Sequence, residues 1–149
     1  MKTLVPVATV LLLCTLSPAA PGDIEYNERV FTLGGVEYVT QIPNTAPEPL
    51  WNPESEALPL SVEDAFKLAN QHFQKTFGDQ KDFHFQSIGL QRWGDGQDHR
   101  FLYRIVFMQD PSKAEPIKLP NGFTQRTPLN IVYYVSLDGT LYPPRRKEG

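Results

Sequence analysis

One segment of this chain, from Ser61 to Gly78, has a single good way to leave water. Val62, Ala65, Phe66, Ala69, Phe73 and Phe77 recur at three- and four-residue spacing, while Glu63, Lys67, Asn70, Gln71, Gln74 and Lys75 fill the opposite side. The spacing predicts an amphipathic helix with one apolar stripe. Ser61 is placed to cap it, Asp64 stands three residues later as a short capping-box partner, Glu63 adds negative charge at the positive end, and Gly78 supplies the stop. Such a helix draws its stability from packing against another apolar surface. The chain beyond it supplies that surface as strands. Phe83 to Trp93 reads as a strand with a change of phase near Ser87-Ile88, Gly94-Asp95-Gly96 as a turn, and Arg100 to Gln109 as a second strand rich in aromatic and β-branched residues. A loop carrying Pro111, Pro116, Pro120 and Asn121-Gly122 leads to a third strand expected from Leu129 to Leu137. Asp138-Gly139 then turns the chain into a short last strand, Thr140 to Tyr142, which Pro143-Pro144 ends.

Ahead of the helix, Phe31 and Leu33 before Gly34-Gly35, and Val36, Tyr38 and Thr40 after it, read on period two as a hairpin or a bent strand. Pro43, Pro47, Pro49, Pro53 and Pro59 then rule out helix interior and central strand, because each proline deletes a backbone donor and restricts its neighbour. The stretch is expected to be an extended connector with Trp51 anchoring it on the body. The order gives an α+β class: one amphipathic helix packed on an antiparallel sheet of three to five strands. The expected divisions are a leader over residues 1–19, the strand and proline connector over 20–59, the helix-plus-meander domain over 60–144, and a solvated basic tail over 145–149, with Arg145, Arg146 and Lys147.

The leader is a secretory signal. Lys2 precedes an apolar run from Leu4 to Leu16 that ends in Ser17, Pro18, Ala19 and Ala20, which is the charged, apolar and small-residue order that export and signal cleavage need. The run is short for a stable membrane span. Cleavage after Ala19 is preferred, with Ser17 three residues before the cut. Cys14 follows the bulky Leu13, which argues against a lipid-bearing cysteine. The expected location is therefore periplasmic or extracellular. Cys14 is the only cysteine and leaves with the signal, so the remaining chain of about 130 residues holds no disulfide and must rely on an ordinary core. Loss of Lys2 takes the formal charge from −3 to −4. Basic residues scattered among carboxylates do not track phosphates, which excludes a nucleic-acid partner.

The strands carry apolar residues on both faces. Phe101, Tyr103, Ile105 and Phe107 oppose Leu102, Arg104, Val106 and Met108 on one strand, and Ile131, Tyr133, Val135 and Leu137 oppose Val132 and Tyr134 on another. A single helix covers one face. Either the N-terminal strand and proline connector cover the second, or another molecule does, a second copy of the chain included.

The segment Leu60-Ser61-Val62-Glu63-Asp64-Ala65-Phe66-Lys67-Leu68-Ala69, followed by strands and then Ile131-Val132-Tyr133-Tyr134-Val135-Ser136-Leu137-Asp138-Gly139-Thr140-Leu141, resembles the PepSY-type domains of exported bacterial proteins over about residues 60–142. The proline-rich loop from Asp110 to Pro128 departs from that pattern, since it stands where the family has a short turn. The resemblance implies a non-catalytic envelope module, associated in that family with propeptides and with regulation of peptidases, and it transfers no catalytic residue. A cystatin-like wrap of sheet around helix is a related arrangement, which Gln91-Arg92-Trp93-Gly94 only loosely matches at its inhibitory hairpin.

The residues themselves assemble no catalytic centre. The chain after cleavage has no thiol, no Gly-x-Ser-x-Gly elbow and no phosphate-binding glycine loop, and His72, His84 and His99 lack metal-site spacing. His72 reads as a core-edge histidine, and Asp95 and Asp98 sit in a turn without the further oxygen ligands calcium needs. No cofactor or metal is expected. Binding is the better reading, with Trp93, Arg92 and Arg100 at a hairpin tip as partner contacts because Trp and Arg dominate interface hot spots. Equally, Trp93 folds back on the sheet edge. The second candidate is a small-ligand pocket between helix and sheet, with Arg104, Tyr134 and His84 as its polar groups.

Overall fold

The computed structural model describes residues 29–43, 50–93 and 100–147. The expected signal with Cys14, the expected turn with Asp95, Asp98 and His99, and the side chain of Trp93 lie outside the described residues. The elements in order are β1 (Arg29–Leu33), β2 (Val36–Thr40), α1 (Val62–Phe77), β3 (Phe83–Trp93), β4 (Arg100–Gln109), β5 (Pro116–Lys118), β6 (Thr124–Arg126), β7 (Asn130–Ser136), β8 (Leu141–Tyr142) and β9 (Arg145–Arg146). An antiparallel sheet of order β3-β4-β7-β8 carries α1 on one face, so the class is α+β. A smaller sheet has the order β1-β2-β9, and β5 and β6 pair by themselves.

The helix forms where its caps and stripe dictate. Ser61 Oγ accepts the Asp64 amide at 3.0 Å and donates to the Asp64 carboxylate at 2.7 Å, so the short aspartate closes on the capping hydroxyl itself. Lys67 pairs with Glu63 at 3.2 Å on the exposed side. Gly78 ends the helix as expected, in right-handed backbone. Its φ is −60°, and glycine is required because a Cβ there would lie 2.2 Å from the carbonyl oxygen of Gln74. Gly34 and Gly35 do need left-handed backbone, at φ 58° and 78°, to turn β1 into β2.

The main core is aromatic. Phe73 stacks on Phe107 with centroids 4.1 Å apart, Tyr133 meets Phe107 edge-on at 5.7 Å, and Ala65 and Ala69 let the helix approach Ile105, Ile131 and Val135. The β1–β2 hairpin joins this same face, where Phe31 stacks on Tyr38 at 5.2 Å and Tyr38 meets Phe77 at 5.2 Å. Trp51 anchors the connector there as expected, edge-on to Phe101 at 5.1 Å, with Nε1 donating to the carbonyl of Glu56 at 3.2 Å.

The second face is buried by the chain itself. Leu102, Val106, Val132, Tyr134 and Tyr142 cluster there with Ile42. Among the described residues the hairpin stays on the helix side, and the chain leaving β2 crosses over to this face, with Thr40 Oγ1 donating to Val132 O at 3.0 Å. That burial accounts for the apolar pattern of this face within one chain.

Three details depart from the sequence reading. The phase change in β3 is a bulge between Phe85 and Ser87, a residue or two earlier than expected. The proline-rich loop contains the β5–β6 hairpin, which its prolines concealed. The basic tail is not a free solvated tail: Arg145 and Arg146 pair with Val39 and Tyr38, and Lys147 Nζ meets Glu37 at 3.1 Å. The edge of β2 offered backbone partners that side-chain composition does not reveal.

Candidate functional site

The outer strand β3 is the least covered strand of the four-stranded sheet. The helix lies over β4 and β7, so the helix side of β3 is only partly roofed. The strand alternation and the register with β4 put Phe83, Phe85, Ile88, Leu90 and Arg92 on that side, opposite Gln109, Phe107, Ile105, Tyr103 and Phe101. Phe83 is buried and Ile88 half-buried, but Phe85 is 43% exposed and Leu90 37%. Phe66 of the helix meets Phe85 edge-on at 4.8 Å. One turn earlier Val62, on the apolar stripe by its spacing, is 48% exposed.

Tyr103, the cross-strand partner of Leu90, donates its hydroxyl to Leu60 O at 2.7 Å, which holds the start of the helix beside this end of the strand. Val62, Phe66, Phe85 and Leu90 therefore form an apolar strip along the edge of the sheet. Among the described residues no strand pairs with β3 on its outer side. The bulge at Gln86 divides the edge and leaves Ser87–Trp93 as the regular run.

The sequence-predicted candidates are only partly brought together. Arg92 is exposed on the helix side of β3, opposite Phe101. Arg100 follows on the other side of the pleat, paired in register with Trp93. Arg92 and Arg100 thus belong to opposite faces. Arg104 and Tyr134 are direct cross-strand partners on the second face, with Tyr134 buried in the Ile42 cluster. His84 is exposed opposite Met108, four residues along β4 from Arg104, so the three do not converge. The space expected for a pocket between helix and sheet is filled by Phe66, Phe73, Phe77, Phe107 and Tyr133.

His72 sits at the core edge as expected, its Nδ1 3.3 Å from both the Tyr133 hydroxyl and Thr76 Oγ1. Burial, helped by the nearby Lys75, holds its imidazole below the usual histidine range. Burial pushes the Tyr133 phenol upward. No group of three His, Cys, Asp or Glu side chains among the described residues could hold a metal ion, and no helix there is long and apolar enough to cross a membrane.

Sequence reasoning missed Phe85, Leu90 and Val62 as surface residues. All three look like core by pattern, and the signal that separates them is geometric: one helix cannot roof three strands. Compared with protein-family models, curated proteins and solved structures, the chain matches none.

Proposed function

We propose that this is a non-catalytic protein of the exported space, periplasmic or extracellular, that binds another exported protein by taking an extended segment of it along the outer edge of β3. The observation that carries the reading is the apolar strip of Val62, Phe66, Phe85 and Leu90 beside an unpaired strand edge. Exposed edges are usually guarded by proline, lysine, bulges or a covering element. Here the bulge guards one end only, and the run from Ser87 to Trp93 contains no proline and no lysine. An added strand would gain main-chain hydrogen bonds from the edge, and its alternate side chains would enter the strip. Arg92 at the end of the run would favour an acidic residue in the partner. The PepSY-type resemblance supports a peptidase as that partner.

Affinity capture from the envelope fraction of the protein's own source tests the reading, using the exported chain, its Phe85→Asp and Leu90→Lys variants, and Ile117→Ser as an exposed control. The expected result is one stoichiometric partner held by the parent and the control and released by both edge variants. The same proteins retained by all four would overturn it.

A further inference from the structure

We infer that the cavity between the two small hairpins is a binding site for a small primary ammonium compound with a short apolar body. This inference stands apart from the edge-strand reading and uses none of its residues.

The cavity has a volume of about 470 Å³, which lies in the range of small-molecule sites. It is framed on one side by the β1–β2 turn and on the other by the chain around β5 and β6. Leu33, Ile117 and Leu129 give it apolar walls, and among the described residues Glu115 is the only charged one that lines it. Glu115 makes no ion pair among the described residues. Arg126 of the hairpin is turned to the carbonyls of Ser112 and Ala114 at 2.7 and 3.0 Å, and it does not line the space. Thr32 and Thr127 add two hydroxyls. These hydroxyls and the carboxylate, with Gln109 also lining the space, offer acceptors to the donors of an ammonium group. An anionic ligand would meet the Glu115 carboxylate with no lining cation to offset it.

The glycine pair, which the left-handed backbone of the turn requires, also borders the cavity. Gly34 and Gly35 line the cavity, and a Cβ at either would meet nothing within 4 Å. Their backbone thus faces open space, within reach of a ligand.

The test is a titration of the full chain, followed by amide chemical shifts, with n-hexylammonium, hexanoate and hexanol as probes at neutral pH. Hexylammonium is expected to move the amides of Gly34, Gly35 and Leu129, and hexanoate to leave them in place. Glu115→Gln, an exposed and fold-neutral change, should weaken hexylammonium by about fivefold, the order of one partly exposed ion pair. Leu90→Lys should leave it unchanged, which separates this site from the edge of β3. Equal shifts from all three probes, no shifts from any, or full affinity in Glu115→Gln would each overturn the inference.

Discussion

Replacing Phe107 by alanine should cost far more than replacing Phe85, although the two rings face each other across adjacent strands. Phe107 is 2% exposed and is the hub of the aromatic core, stacked on Phe73 at 4.1 Å and edge-on to Tyr133 at 5.7 Å. Truncating a buried phenylalanine removes its transfer free energy and leaves a cavity, together about 3–5 kcal/mol, part of which is the loss of its ring pairs with Phe66, Phe73, Phe85 and Tyr133. Alanines at 65 and 69 bring the helix backbone close to the sheet, so little can move to refill the space, and about 4 kcal/mol is expected. In a body of this size that lowers the melting temperature by roughly 15 °C. Phe85 is 43% exposed, and its truncation should cost about 1–2 kcal/mol, from partial burial and edge-on ring contacts with Phe66 at 4.8 Å and Phe107 at 6.3 Å. Urea unfolding of the parent and both variants, read by near-ultraviolet circular dichroism, measures the difference. Comparable losses in the two variants would refute the placement of Phe85 on the surface and, with it, the apolar strip.

Three other perturbations separate parts of the structure. Stability should fall as pH drops through the His72 range: the folded imidazole is held below its unfolded value of 6.5, so the unfolded chain takes up the proton first. The contribution is complete above that value and is lost below it, and unfolding curves of the parent against His72→Gln between pH 8 and pH 5 should converge on acidification. Thr40→Val should destabilise by about 1–2 kcal/mol, because Val132 O loses its buried donor; equal stability in a thermal melt would remove Thr40 as the clasp of the second face. Deleting residues 145–149 should lower the melting temperature by several degrees through loss of the β2–β9 pairing, whereas Arg145→Ala with Arg146→Ala, both exposed, should shift it by less than about 2 °C.

The elements with strong local chemistry were legible in the sequence. The capped stripe from Ser61 to Phe77, the Gly34-Gly35 turn and the aromatic run of β4 carry their own signals, and the structure places each within a residue of its expected bounds. Trp51 was legible as an anchor because a lone tryptophan among prolines has no other way to leave water. The pairing of β9 with β2 and the β5–β6 hairpin were not legible, since both consist of exposed side chains joined through backbone bonds that composition does not encode. The site was the least legible part. Phe85 and Leu90 carry the same period as their buried neighbours, and only the position of α1 over β4 and β7 decides that they face solvent. Arg92 and Arg100 are neighbours across the hairpin in sequence terms, yet the pleat sends them to opposite faces.

The central claim is that the outer edge of β3 is where a partner binds, and site-specific photo-crosslinking in the native host tests it most directly. A photoreactive residue at position 90 should yield one discrete protein adduct, matched from position 85, with none from position 74 on the exposed side of the helix. No adduct from position 90, or the same adducts from position 74, would contradict the account.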